Sequence, residues 1–311
     1  MKIYNSVNDF APVKNAVVTI GTFDGVHLGH RKLIKKVCEI ADSIGGETIV
    51  LTFFPHPRMV LYPDEHGLEL LNTIDEKKQL LEEVGVDHLI IHPFDRNFSE
   101  LSSVDFVKEI LVDKIRTKKL VIGYDHHFGK KREGNFDDLV RMAPIFDFEV
   151  EKIEEEDVND IAVSSTQVRN SLKSGDIKTA ISYLGRPYTL TGKVVHGKQI
   201  GRTIGFPTAN LHIPENYKLI PAEGVYVVKV EVSNEFYYGM LSIGRRPTLE
   251  QNGRLSVEVY IMDFNRDIYD EEITLHLLEW IRGDIKFDGI EALKQQIEKD
   301  RIFTQNYIKN C

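Results

Sequence analysis

The feature that most constrains this chain is a change of hydrophobic rhythm part-way along it. As far as about residue 186, short apolar runs take turns with amphipathic segments: AVVTIG, LGHRKLIKKVCEIADSIG, ETIVLTFF, TIDEKKQLLEEVG, VDHLIIHPF, VDFVKEILVDKIR and KKLVIGYD. The runs do not alternate apolar with polar residues, which is the pattern of strands covered on both faces, so parallel strands with crossover helices are predicted. Two shorter helical segments follow, STQVRNSLKSG and DIKTAISYLG, each closed by a glycine as a helix C-terminus is. They are expected to end the first domain. Beyond the turn Gly185-Arg186-Pro187 the period becomes two, in GVYVVKVEV, FYYGMLSI and LSVEVYIMDF, with one closing helix in EALKQQIEKDRIF. Residues 1–186 therefore read as an open α/β domain and 187–311 as a mostly antiparallel β domain ending in a helix.

Composition narrows the function classes. Lys and Arg number 39 against 48 Asp and Glu, a net charge of −9 that opposes nucleic acid and anionic membranes, so an anionic substrate has to be met by local cations. No segment approaches the ~18 apolar residues of a membrane span, and MKIYNSVNDF lacks the apolar centre of an export signal. Cys38 and Cys311 are too isolated for a disulfide framework or a zinc cluster. The expectation is a cytoplasmic protein without nucleic-acid or membrane partners; a weak homo-oligomer is left open. The acidic run EKIEEEDVND reads as a solvated edge.

Two constellations carry chemistry. In AVVTIGTFDGVHLGHRKLI a strand breaks at Gly21 and a helix begins near His30, with His27 one turn earlier. Two imidazoles and the unpaired N–H groups of a helix start suit the phosphates of a nucleotide, where charge builds as pyrophosphate departs. His56 and Arg58, at the end of ETIVLTFFPHPR, lie at a strand's carboxyl edge, where open α/β sheets bind ligands. Ser164, Ser165 and Thr166 precede a helical segment, with Arg169 one turn on. Arg31, Lys130, Lys131, Arg132 and Arg169 cluster cations around these segments. Asp125, His126 and His127 superficially suggest a metal site, but no further ligand stands at a known spacing. In the second constellation, GKQIGRTIGFPTANL is glycine-rich and cationic without being a Walker A loop. Thr208 and Asn210 alternate onto one face of an extended chain and offer neutral oxygens to Mg²⁺. Glu258 faces away from Val257 and Val259 on its strand.

These segments resemble a known family. GTFDGVHLGHR is similar to the HxGH signature of nucleotidyltransferases and, with TFFPHPR, GYDHHFGKKREG and VSSTQVR, to the adenylyltransferase module of bacterial bifunctional riboflavin kinase/FAD synthetases over residues 15–185. GKQIGRTIGFPTANL, GVY, IGRRPT and VEVYIMDF resemble the riboflavin kinase module over 186 to about 303. The resemblance implies an HxGH-type α/β nucleotidyltransferase domain followed by a β-barrel kinase domain. It implies that riboflavin is phosphorylated by ATP to FMN, and that FMN is adenylylated by a second ATP to FAD and pyrophosphate. It implies ATP contacts in the first domain from Gly21, Phe23, Asp24, His27, His30, Asp125, Ser164, Ser165, Thr166 and Arg169, and FMN contacts from His56, Pro57 and Arg58. In the second domain it implies ATP contacts from Gly197, Lys198, Gly201, Arg202, Gly205, Pro207, Thr208 and Asn210. Thr208 and Asn210 would hold Mg²⁺, and Glu258 would be the base. Departures from the family pattern stand at Asp125, often Asn, at Arg245 or Arg246, often neutral, and at Asp270, commonly Gly. An adenylyltransferase for another phosphate substrate would have no use for the PTAN segment. A non-catalytic flavin binder would have none for His27, His30 and Glu258.

Overall fold

The computed structural model describes residues 1–62, 68–123, 126–153, 163–197, 201, 204–245 and 255–310. The chain divides into two compact units, Met1–Ser165 and Thr166–Cys311.

The first unit is built on a six-stranded sheet in the order β1-β4-β3-β2-β5-β6, formed by β1 (Lys2–Tyr4), β2 (Ala16–Ile20), β3 (Glu47–Phe54), β4 (His88–Pro93), β5 (Thr117–Gly123) and β6 (Glu149–Ile153). Every pairing is parallel. Neighbouring residues of one strand serve different cores: Ile49 and Leu51 belong to one apolar cluster and Val50 to another. That double burial is why these strands read as unbroken apolar runs. The helices α1 (Leu28–Ser43), α2 (Pro57–Leu61) and α3 (Ile74–Val84) follow β2 and β3. Ile34, Val37, Ile40 and Ala41 form the buried stripe of α1. Thr73 and Glu76 close a capping box on α3, and Gly85 ends it at φ 101°.

Three parts of this unit depart from the sequence reading. VDFVKEILVDKIR is a π-helix over Phe106–Ile115 rather than an α-helix, with Lys108 and Asp113, five apart, paired at 2.8 Å. The acidic run begins inside the edge strand of the sheet: Glu151, Lys152 and Ile153 belong to β6, and Lys119 lies between the carboxylates of Glu149 and Glu151. Its remaining residues fall outside the described ones. Strand β1 and the helix Phe136–Phe146 were not expected. From β2 the chain runs through β3 and β4 to one side and through β5 and β6 to the other, so the order reverses between β2 and β5. Ligands bind beyond the carboxyl ends of strands at such a reversal.

The second unit is a closed antiparallel barrel in the order β10-β11-β8-β7-β12-β9. Its strands are β7 (Tyr188–Val195), β8 (Ala209–His212), β9 (Gly224–Val232), β10 (Glu235–Arg245), β11 (Leu255–Ile261) and β12 (Glu272–Gly283), and the helix Ile290–Lys309 follows. Ser233 and Asn234, at φ 50° and 65°, make the two-residue turn between β9 and β10. The helices Ser165–Ser174 and Ile177–Leu184, expected at the end of the first domain, pack with this barrel from Thr166 onward. The second lies against β7 and β12, Leu172 O accepts from Ala222 N at 3.0 Å, and Gly175 leaves no room for a Cβ beside the Trp280 ring. An amphipathic pattern shows that a helix buries one face without showing what covers it.

Candidate active sites

The turn from β2 into α1 stands at the strand-order reversal. Gly21 N donates to Leu51 O at 3.1 Å and ends the strand pairing. Phe23, Gly25 and Val26 then take left-handed φ of 44°, 88° and 39°. A β-branched residue there is strained, so the turn has to be held from outside. Asp24 is buried and its Oδ1 accepts from Leu71 N at 2.9 Å. Ser165 Oγ donates to Asp24 O at 2.8 Å. Lys77 Nζ on α3 donates to Thr22 O at 2.6 Å, and Thr52 Oγ1 donates to the same oxygen at 3.4 Å.

That turn delivers His27 to the N-cap of α1. Its Nδ1 accepts the N–H of His30 at 3.4 Å, so in the neutral ring the proton sits on Nε2, which can donate to a ligand. The two imidazoles stack with centroids 3.6 Å apart and planes at 20°, and Phe23 meets the His30 ring edge-on. Burial, then His27 and Lys77, hold the His30 imidazole well below its ordinary pKa, so it is neutral at pH 7. His30 Nδ1 is covered and has no hydrogen-bond partner among the described residues.

His56 caps α2 through Nδ1, which accepts from Arg58 N at 3.2 Å, and Arg58 is exposed at the carboxyl end of β3. Ser164 and Ser165 fall in the first unit, while Thr166 and Arg169 fall in the second. Asp125 lies outside the described residues. The expected cation cluster is partly engaged with carboxylates: Arg31 pairs with Glu83 at 3.6 Å and Lys130 with Glu100 at 2.5 Å. The cation that does face His30 is the buried Lys77.

In the barrel, Glu258 on β11 stands directly across from Asn210 on β8. Thr208 Oγ1 donates to Glu258 Oε2 at 3.3 Å. The three residues that the sequence separates by 50 positions thus share one place on the wall. A Cβ at Gly197 would lie 2.3 Å from Asn210 Nδ2, and one at Gly201 would lie 2.2 Å from Phe206 O. Glycine at both positions leaves the room that the Asn210 amide and the Phe206 carbonyl occupy. Gly205 follows in a tight turn at φ 88°. Lys198, Arg202 and Arg246 are outside the described residues. Beside Thr208 opens a cleft of about 450 Å³, walled by Val194, Pro207, Ala209 and Val259 and on the other side by Phe264–Tyr269. The rings of Tyr269 and His196 lie 3.8 Å apart.

A protein-family model described as FAD synthetase matches residues 10–167, and one described as riboflavin kinase matches 184–308. The chain is 42% identical over 293 residues to a bifunctional riboflavin kinase/FMN adenylyltransferase of Listeria monocytogenes, covering 94% of this chain and 92% of that one. It belongs to the bifunctional riboflavin kinase/FMN adenylyltransferase family. Enzymes with that description from Bacillus subtilis and Escherichia coli are 37% and 34% identical, over 95% and 99% of this chain and 93% and 98% of theirs. A crystal structure titled as a macrolide-efflux protein from Streptococcus pneumoniae overlays with a TM-score of 0.87 at 32% identity, covering 98% of each chain. Among the described residues of this chain no helix is long and apolar enough to cross a membrane.

Membership of the riboflavin kinase/FMN adenylyltransferase family sharpens what the sequence reading missed. Lys77 had a visible signal: it interrupts the stripe Ile74, Leu81, Val84 of α3 at a position whose neighbours are apolar. The segment Phe264–Tyr269 had only its length and its polar run, DFNRD, between two strands. Asp270, where glycine is common, has φ 65° and pairs with Lys193 at 2.8 Å, which lowers the carboxyl pKa. The position needs a left-handed residue, and Asp tolerates one. Arg245 pairs with Glu223 at 2.8 Å.

Proposed function

We propose that the barrel of this chain phosphorylates riboflavin with ATP to give FMN and ADP, and that the α/β unit adenylylates FMN with a second ATP to give FAD and pyrophosphate. The observation that carries this reading is that each unit holds its own reactive constellation, His27 with His30 in one and Thr208, Asn210 and Glu258 in the other. The two family models, one ending at residue 167 and the other beginning at 184, take one constellation each.

In the kinase step the ribityl hydroxyl attacks the γ-phosphorus of ATP. Glu258 accepts the hydroxyl proton as the O–P bond forms and ADP leaves; a carboxylate in reach of the nucleophile is worth ~10² to 10⁴ in rate. Thr208 Oγ1 and the Asn210 carboxamide, beside that carboxylate, are hard oxygen donors of the kind that suit Mg²⁺ when phosphate oxygens and water complete its shell. Bound there, the ion would screen phosphate charge. Gly197, Lys198, Gly201, Arg202, Gly205 and Pro207 form the loop that meets the triphosphate, and the cleft beside Thr208 receives the planar part of a substrate.

In the adenylyl step an FMN phosphate oxygen attacks the α-phosphorus and the bond to pyrophosphate breaks. The nucleophile is already ionised, so the site has to position it and stabilise charge. His27 Nε2–H and the neutral His30 ring, at the start of α1, meet the α-phosphate oxygens. Gly21, Phe23 and Asp24 shape the turn, and Ser164, Ser165, Thr166 and Arg169 hold further phosphate oxygens. His56, Pro57 and Arg58 take the FMN side. Both reactions consume ATP, which is in keeping with a cytoplasmic address.

The test incubates the purified chain with riboflavin, ATP and Mg²⁺ and resolves the flavins chromatographically, alongside Glu258→Gln. The parent should give FMN and then FAD. Glu258→Gln should lose riboflavin phosphorylation by ~10² to 10⁴ and still convert supplied FMN to FAD. Unchanged phosphorylation would sink the assignment of Glu258 as base.

A further inference from the structure

Lys77 is buried without a carboxylate ion pair at contact distance among the described residues: it is 5% exposed, and its ammonium donates to a backbone carbonyl, Thr22 O, at 2.6 Å. An ammonium has three donors, and the other two N–H groups meet no acceptor among the described residues. Burying such a charge is costly, and a methionine of the same length would fill the space without that cost. The position of Lys77 gives that cost a purpose. Thr22 opens the left-handed turn Phe23–Val26, whose strain needs external ties, and the turn ends on His27.

We propose that Lys77 is a positioning residue of the adenylyl-transfer site, fixing the turn that presents His27 and His30 and setting a buried positive charge against the His30 imidazole. This rests on the reading of those histidines as the groups that meet the α-phosphate. The charged and titratable groups around it are few. Asp24 faces it from the turn and His30 from α1; on α3 itself the Glu76 carboxylate accepts from Thr73 N at 2.9 Å. The Arg31–Glu83 pair bridges the outer sides of α1 and α3. Burial pulls the Lys77 ammonium down to about 8, against the opposing pull of Asp24. Within the working range of an enzyme this lysine can therefore lose its proton, and with it the positive charge that His30 meets.

The experiment compares the full-length parent, Lys77→Met, Lys77→Arg and His30→Gln, measuring FMN adenylylation from pH 6.5 to 9.5 and riboflavin phosphorylation on the same preparations. A misplacement of about 1 Å at a reacting centre costs on the order of 10²-fold, so Lys77→Met should lose about that much in kcat with riboflavin phosphorylation unchanged. The parent's adenylylation should decline above pH about 8, where Lys77 deprotonates. Lys77→Arg, whose charge persists, should recover at least tenfold over Lys77→Met and lack that decline. Parental adenylylation in Lys77→Met overturns the proposal, and so does an alkaline decline shared by Lys77→Arg. Parental adenylylation in His30→Gln overturns the histidine reading and the proposal with it. A large loss in His30→Gln beside no loss in Lys77→Met overturns the proposal alone.

Discussion

Leu172→Ala tests to which unit the helices between residues 165 and 184 give their stability. Leu172 is fully buried, as are Val168, Ala180 and Leu184, and its carbonyl accepts the Ala222 N–H at 3.0 Å from the barrel side. Truncating a buried leucine costs ~2 to 5 kcal/mol, the spread reflecting how far the site can collapse. Collapse is restricted here, because Gly175 already sits against the Trp280 ring. For a unit of roughly 150 residues, 1 kcal/mol shifts the melting temperature by ~2 to 4 °C, so a drop of about 4 to 20 °C is expected. The assay heats aliquots across a temperature series, cools them and measures both half-reactions. Riboflavin phosphorylation should be lost at lower temperature than in the parent, while FMN adenylylation keeps its parental midpoint. Leu81→Ala, at an equally buried site on α3, should do the reverse. If Leu172→Ala weakened adenylylation and spared phosphorylation, the helix pair would belong energetically to the first unit and the packing argument would fail.

Further outcomes follow from the sites. Gly197→Ala should raise the KM for Mg²⁺–ATP in riboflavin phosphorylation by displacing the Asn210 amide 2.3 Å away, and leave FMN adenylylation alone; a parental KM would show that the loop yields freely. The depressed pKa of His30 makes the first unit acid-sensitive: below 6.5 the unfolded chain takes up a proton that the folded one resists, so stability is full above that pH and is lost as pH falls toward the folded value. The heat resistance of adenylylation should therefore decline from pH 7.5 to 5.5 in the parent and decline less in His30→Gln, and equal declines would refute the assignment.

How much of this was legible in the sequence depended on whether side-chain pattern alone decides the structure. Strands β2, β3 and β4 were legible because burial on both faces writes itself as unbroken apolar residues, and β11 and the second half of β9 because one-sided burial writes itself as alternation. The π-helix was not, since its i to i+5 bonding is a backbone choice that leaves the apolar residues of Phe106–Ile115 looking helical. The start of the acidic run hid an edge strand for the opposite reason: Glu149 and Glu151 are polar, yet they are tolerated in β6 because Lys119 lies between them. In the sites, histidines, threonine, asparagine and glutamate stood out by type and spacing. Lys77 was passed over although it interrupts the apolar stripe of α3, because a lysine in a helical stretch reads as solvated until the helix is docked and its face is known.

The pairing of Glu258 with Asn210 ties chemistry to strand register, and so to how genes of this kind can change length. One residue inserted between Leu255 and Glu258 would turn the carboxylate inward and an apolar neighbour outward, because successive side chains on a strand point to opposite faces. Two inserted residues would restore the face but slide the carboxylate by about 7 Å along the wall, out of reach of Thr208. Slippage elsewhere cannot absorb the change, since the barrel closes on itself through β10 and β8 on either side of β11. Insertions and deletions that survive in this half of the chain should therefore gather in the connections between strands, and β8 and β11 should descend with their lengths intact.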